Sequence, residues 1–254
     1  MNRRLLPLRN KFEVELLEAG KGPPLVYLHG IWDADEQAWL ERLAAERRVL
    51  APRLPGFGAS TGERHLLDIH DLIYFGLDLL DALGFEGGPL VGHCLGGMLA
   101  AELAAVQPGR FSHLALMAPF GLWNPACPAP DFFSAAPDEV EGWLARGQAK
   151  PVLLTPNDEE QAIQAALARA KSMSAAARYL WPLPNHGLKK RAHRISAPTL
   201  VIWGERDGIC PPQYAYDFQQ LLRGARLEVL PELGHLPHVQ QPDKIARLLG
   251  SFLA

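Results

Sequence analysis

The stretch Leu90-Val91-Gly92-His93-Cys94-Leu95-Gly96-Gly97-Met98 places a sulfur nucleophile where a chain would have to turn sharply. Pro89 to Val91 is apolar and β-leaning, whereas Met98 to Ala105 is a run of helix formers. Gly92 to Gly97 must carry the chain from one to the other, so the pattern reads strand, tight turn, helix, with Cys94 at the tip. A side chain on such a turn has a strained backbone, and only small neighbours at Gly92 and Gly96 avoid clashes. The unpaired N–H groups that open the helix point at the sulfur. That positive end favours a thiolate and any oxyanion formed beside it. The chemistry on offer is nucleophilic attack on an electrophilic carbonyl.

Such a nucleophile has to be positioned by the elements around it. Phe12 to Leu17 alternates apolar residues with Glu13 and Glu15, which predicts a half-exposed strand ending at Gly20. Leu25 to Leu28 and Arg48 to Pro52 read as short apolar strands, and Glu36 to Arg47 as an amphipathic helix between them. A helix is predicted from about Leu67 to Leu83 with Gly84 as its stop, and another strand over Phe111 to Met117. Between 119 and 188 the chain is rich in Pro, Ala and Trp, with helices over 138–146 and 158–171 and no convincing strand. The strand signal returns over Thr199–Trp203 and Arg226–Leu230, with helices over Gln213–Leu222 and Asp243–Phe252. Alternating strands and helices predict an α/β fold with a mostly parallel sheet covered on both faces. The expected organisation is a core formed by 1–118 and 189–254, with 119–188 inserted as a helical cap.

The 254 residues carry a formal charge of −3, with 48% hydrophobic and 21% charged residues. That balance gives no electrostatic reason to bind nucleic acid or an anionic membrane. Cys94, Cys127 and Cys210 are an odd, sparse set without metal-ligand spacing. A disulfide framework is not expected, and a cytoplasmic location fits best. The basic start, Met1 to Pro7, is not followed by an apolar h-region, so no signal peptide is read, and no run is long enough to span a membrane. The expected partner is a small-molecule substrate. The oligomeric state is open, a homodimer being one option.

The G-x-C-x-G turn resembles the nucleophile elbow of the α/β-hydrolase family, with cysteine in place of serine. Further stretches resemble that family in the same chain order. They are His29-Gly30-Ile31-Trp32, Leu54-Pro55-Gly56-Phe57-Gly58, Trp203-Gly204-Glu205-Arg206-Asp207 and Leu233-Gly234-His235. The resemblance implies an α/β-hydrolase fold of about eight strands. It implies that His235 takes the Cys94 proton while Asp207 holds the imidazole, and that the backbone N–H groups of Ile31 and Leu95 form the oxyanion hole. It implies no metal and no organic cofactor. His238 is the rival to His235, disfavoured because Gly234 matches the family pattern. His93 is expected to pack structurally, His29 to tie down the oxyanion turn, and Glu205 to be a solvated turn residue. Arg53 stands where the family often has aspartate and reads as a charge that tethers its loop.

Sulfur narrows the substrates. From a tetrahedral intermediate a thiolate leaves more readily than an alkoxide or amide nitrogen, so attack on an unactivated ester would revert. Thioesters, activated esters, lactones and carbon–carbon bonds that release a stabilised carbanion are favoured. The capped layout resembles the ester and carbon–carbon-bond hydrolases, and dienelactone hydrolases share the cysteine box. Trp32, Asp33, Phe120, Trp123, Tyr179 and Trp181 are candidates to line the pocket. The rival readings are an acyltransferase or cyclase using the same Cys94 acyl-enzyme, a cofactor-free lyase using His235 as base, and a catalytically silent ligand-binding protein.

Overall fold

The computed structural model describes residues 1–32, 36–146, 158–181 and 186–254. Strands β1 (Asn2–Leu8), β2 (Phe12–Ala19) and β3 (Pro24–Leu28) are followed by helix α1 (Gln37–Leu43), β4 (Arg48–Pro52) and α2 (Ile69–Ala82). Then come β5 (Gly88–His93), α3 (Cys94–Val106) and β6 (Phe111–Met117). Helices α4 (Pro137–Leu144), α5 (Glu159–Leu180) and α6 (Leu188–Arg191) separate β6 from β7 (Thr199–Gly204). The chain closes with α7 (Gln213–Leu221), β8 (Arg226–Leu230), α8 (Pro237–Gln240) and α9 (Pro242–Leu253).

The eight strands form one sheet in the order β1-β2-β4-β3-β5-β6-β7-β8. β2 runs antiparallel to both β1 and β4, and all other pairs are parallel. The central strands explain their unbroken apolar runs, because alternate residues feed two cores. Val26, Leu28, Leu90, Leu114, Leu116, Val201 and Trp203 face one core, which includes α2 and α3. Leu25, Tyr27, Val91, Ala115, Met117, Leu200 and Ile202 face the other, against α1 and α9. From β3 the chain crosses to β4 on one side and later to β5 on the other, so a crevice opens at the carboxyl ends of β3 and β5. Asp68 caps α2 by accepting from His70 N and Asp71 N, and Gly84, at φ +63°, lets the chain leave it.

Four local expectations are corrected. β1 gave no readable signal, because it is an edge strand with mostly exposed residues and no alternation. Glu15 is buried rather than half-exposed: its carboxylate accepts from Ala59 N at 2.9 Å and pairs with Arg3 at 3.1 Å. The predicted 36–47 helix stops at Leu43, and the predicted 158–171 helix continues to Leu180. Among the described residues no helix is long and apolar enough to cross a membrane.

Candidate active site

Cys94 is the first residue of α3, directly after β5, and has φ +53°. A cysteine there is strained, and the glycines around it show why the turn is possible. A Cβ on Gly96 would sit 2.2 Å from Leu28 O, and one on Gly92 would sit 2.4 Å from Gly96 O. The helix therefore begins at Cys94 itself, earlier than the expected start at Met98, because Gly96 and Gly97 slide under neighbouring backbone. Gly30 brings the β3 turn against the nucleophile, since a Cβ on it would meet Cys94 Cβ at 3.1 Å. Gly96 N donates to His29 O at 3.0 Å and pins the two turns together. Ile31 N and Leu95 N take part in no turn or loop hydrogen bond among the described residues.

Asp207 and His235 meet from two other loops. His235 Nδ1 donates to Asp207 Oδ2 at 2.8 Å, and both side chains are completely buried. The other carboxylate oxygen, Oδ1, accepts from Ile209 N and Cys210 N, each at 2.8 Å, so the carboxylate cannot rotate. Gly204 and Gly234 let the two loops touch: a Cβ on Gly204 would fall 2.2 Å from Gly234 O. His235 Nε2 is buried and has no fully formed hydrogen bond. Cys94 acts on the ring electrostatically, favouring its charged form. Burial opposes charge on His235, but the Asp207 carboxylate and Cys94 outweigh it and push the imidazole up to about 10.

The remaining polar residues surround this pair. His29 donates from Nδ1 to Gly30 O at 2.6 Å and accepts from Leu54 N at Nε2, so it ties the β3 turn to the Leu54 loop. Burial and the nearby Arg53 charge lower its pKa to about 4, which keeps it neutral. Arg53 reaches Glu36 at 2.9 Å, which makes it the loop tether its position suggested. His93 donates from Nε2 to His235 O at 2.8 Å. His238 is also buried and lies against Glu36 at 3.2 Å, away from Asp207. Glu36, His93 and His238 have potential ligand atoms within 4.8 Å of one another. A cation there would have to displace the Arg53 guanidinium and the Tyr27 hydroxyl, which already hold Glu36. We therefore read Glu36 and His238 as a hydrogen-bonded pair with the His93 ring packed against His238. Sequence reasoning missed Glu36 because a single glutamate at a helix start carries no spacing signal.

The pocket candidates divide. Trp32 stands edge-on to His235 with ring centroids 5.1 Å apart, and Phe120 lies 6.1 Å from the same ring. Phe132, which the sequence did not single out, packs on both, at 5.4 Å from Trp32 and 5.6 Å from Phe120. Beyond Trp32 and Phe132 is a cavity of about 480 Å³, walled by Phe133, Val140, Met173 and the alanine face of α5. The other three described candidates are elsewhere. Tyr179 is buried and donates to Pro55 O at 3.2 Å, fastening α5 to the Leu54–Gly56 loop. Trp123 lines a separate cleft with Lys189 and Asp217. Trp181 is 55% exposed and touches Phe133 only from outside. Asp33 lies outside the described residues.

The order of the sheet, the strained residue after β5 and the acid and histidine loops after β7 and β8 have a counterpart in known proteins. The sequence model of the alpha/beta hydrolase family matches residues 25–248. The chain belongs to the α/β-hydrolase family. It is 30% identical to 2-hydroxymuconate semialdehyde hydrolase of Pseudomonas sp. (strain CF600), covering 94% of this chain and 89% of that protein. It is 31% identical to the dihydrolipoyllysine-residue acetyltransferase component of the acetoin cleaving system of Pseudomonas putida, over 91% of this chain but 64% of that longer protein. Among solved structures, a bacterial membrane phospholipase A superposes with TM-score 0.84 at 26% identity, covering 99% of this chain and 85% of the other. The CarC serine hydrolase of carbazole degradation shares the fold, with TM-score 0.78 at 22% identity, covering 99% and 98%.

This α/β-hydrolase carries cysteine at its elbow, and its three cysteines are all free. Cys210 is buried, and burial together with the neighbouring Asp207 charge pushes its thiol well above the usual range. Iodoacetamide is expected to alkylate Cys94 at least about tenfold faster than Cys210 or Cys127, read by peptide mass mapping over time. Equal rates at the three positions would count against a sulfur activated by His235.

Proposed function

We propose that this hydrolase acts through Cys94, His235 and Asp207 on an activated ester, thioester, lactone or carbon–carbon bond of a small apolar substrate. The observation that carries the reading is a buried His235 clasped by a fixed Asp207 and held charged in part by Cys94, which sits on a strained turn. The Cys94 sulfur forms a bond to the carbonyl carbon, and the carbonyl oxygen takes the electron pair and is held by Ile31 N and Leu95 N. As the oxyanion collapses, His235 gives its proton to the departing oxygen, sulfur or carbon, leaving a thioester on Cys94. A water then loses its proton to His235 and attacks that thioester, and Cys94 leaves as thiolate with the imidazolium restored. The test is intact mass: an activated acyl donor should add one acyl group, mapped to Cys94. Turnover without any such adduct, on rapid quenching, would sink the reading.

The 119–188 segment serves as a cap whose inner wall receives the part of the substrate remote from the reacting carbonyl. The cavity there is apolar, and its two charged residues, Glu141 and Arg169, pair with each other at 2.9 Å. A neutral hydrocarbon or aromatic group suits it better than a carboxylate. Phe132 lines the cavity and packs on Trp32 and Phe120, the two rings beside His235. Phe132→Ala is expected to raise the ratio of kcat/KM for 4-nitrophenyl octanoate over acetate by roughly fivefold or more. An unchanged ratio would place the acyl group elsewhere. Transfer of the acyl group to an amine, alcohol or thiol is a second reading, favoured by the likeness to an acetyltransferase component. Product partition between water and added nucleophiles separates the two. The three unpaired cysteines suit a reducing compartment, which we take to be the cytoplasm.

A further inference from the structure

Behind the Cys94–His235 pair is a second group of buried polar side chains that the acyl-transfer steps do not use. Glu36, just before α1, is 4% exposed. Its Oε1 accepts from the Tyr27 hydroxyl at 2.6 Å and faces His238 Nε2 at 3.2 Å, and its Oε2 accepts from Arg53 at 2.9 Å. The His238 ring lies 4.5 Å from the His93 ring, and His93 Nε2 meets His235 O at 2.8 Å. A carbonyl oxygen only accepts, so the proton of His93 is on Nε2. Burial and the neighbouring His238 and His235 keep that ring neutral, which leaves Nδ1 bare. Nδ1 has no partner and lies on the Gly30 side, where a Cβ on Gly30 would meet it at 2.5 Å. One imidazole therefore touches three parts of the site. It precedes the nucleophile in the chain, bounds the oxyanion turn and holds the main chain of the base.

We propose that Glu36, His238 and His93 form a positioning relay that holds His235 against Cys94 without touching substrate. The proposal rests on the Cys94–His235 reading above. Glu36 anchors the relay because it is fixed from β3 by Tyr27, from the loop after β4 by Arg53 and from α8 by His238. A buried ion pair such as Glu36–Arg53 is a weak source of stability but a strong constraint on geometry. The relay transmits that constraint across the sheet: Glu36 and His238 are 202 positions apart in sequence, and His93 and His235 are 142 apart. The three groups join the loops after β3, β5 and β8, whose mutual spacing sets the reacting distance. Errors of about 1 Å at a reacting pair cost on the order of a hundredfold in rate.

The test is a kinetic cycle on a 4-nitrophenyl ester, with melting temperature and circular dichroism measured for each variant. His93→Leu removes the donor to His235 O and is expected to lower kcat by roughly tenfold to a hundredfold while KM moves less than about threefold. His93→Gln, whose amide N–H can stand where Nε2 does, is expected to recover most of that loss. His238→Phe keeps a ring beside His93 but breaks the contact with Glu36, and is expected to lower kcat similarly. Combined with His93→Leu it should cost no more than His93→Leu alone, because the groups act as a unit. Losses that multiply, or no rescue by His93→Gln, would overturn the relay. If His93→Leu does not fold, Glu36→Gln and His238→Phe decide from the far end, wild-type kcat in both being the overturning result. Turnover surviving Cys94→Ala would sink the nucleophile reading. A dead Cys94→Ala beside a fully active His93→Leu would sink only the relay.

Discussion

Cys94→Ala is expected to lower kcat by about four to six orders of magnitude on any substrate processed through an acyl-enzyme, with no acyl adduct detectable by mass. The fold should survive. Alanine keeps the Cβ, meets the same φ of +53° and leaves only the volume of one sulfur unfilled. That cavity costs roughly 1–2 kcal/mol of stability. The site should also survive in part, because Ile31 N, Leu95 N and the His235–Asp207 pair do not depend on the sulfur. What remains is an imidazole without a nucleophile to activate, beside the N–H groups proposed to receive the oxyanion. This separates the proposed chemistry from a lyase that uses His235 as base. A lyase needs no acyl-enzyme and should keep most of its turnover in the variant. Thermal melting and turnover measured on the same preparation decide the matter, and a rate within tenfold of wild type would remove Cys94 from the mechanism.

The parts of the site that were legible in the sequence are those enforced locally. Gly92 and Gly96 had to be small because Leu28 O and Gly96 O leave no room for a Cβ, so their spacing around Cys94 carried the turn. Asp207 follows β7, which reads well because its alternate residues are buried on both faces, and His235 follows β8, a shorter edge strand of which only Leu230 is fully buried. What was not legible depends on contacts between distant positions. Nothing near Glu36 announces that it will meet His238, and nothing near Glu15 announces that its carboxylate will cap the Ala59 loop. β1 lies on the sheet edge with its side chains in solvent, so no alternation marks it. Aromatic residues announced burial but not location. Trp32 and Phe120 reached His235, Trp123 went to another cleft, Trp181 stayed half in water, and Phe132 did the work expected of them.

Asp207→Asn is expected to be nearly as damaging as loss of the sulfur, for a reason that the acid loop makes explicit. Asp207 Oδ1 accepts two backbone N–H groups, from Ile209 and Cys210. An asparagine there must turn its carbonyl oxygen toward those donors, because its amide nitrogen cannot accept. The amide N–H₂ then occupies the place of Oδ2 and points at His235 Nδ1, 2.8 Å away in the wild type. Two donors cannot face each other, so the imidazole must carry its proton on Nε2, toward Cys94. In that tautomer it can neither take the thiol proton nor form the imidazolium that protonates the leaving group. A loss on the order of 10³–10⁴ in kcat is expected, as for other triads held in the wrong tautomer. The pH profile should change in a defined direction. In the wild type, burial opposes the imidazolium while the Asp207 charge and Cys94 sustain it, up to about 10, so the alkaline limb of kcat/KM should lie well above the range of a free imidazole. Removing the Asp207 charge leaves the burial in place and withdraws the larger of the two supports. The proton is then lost at lower pH, and the limb must move down. A profile whose alkaline limb stays where it was, or a loss of less than tenfold, would show that Asp207 is not the group that orients His235.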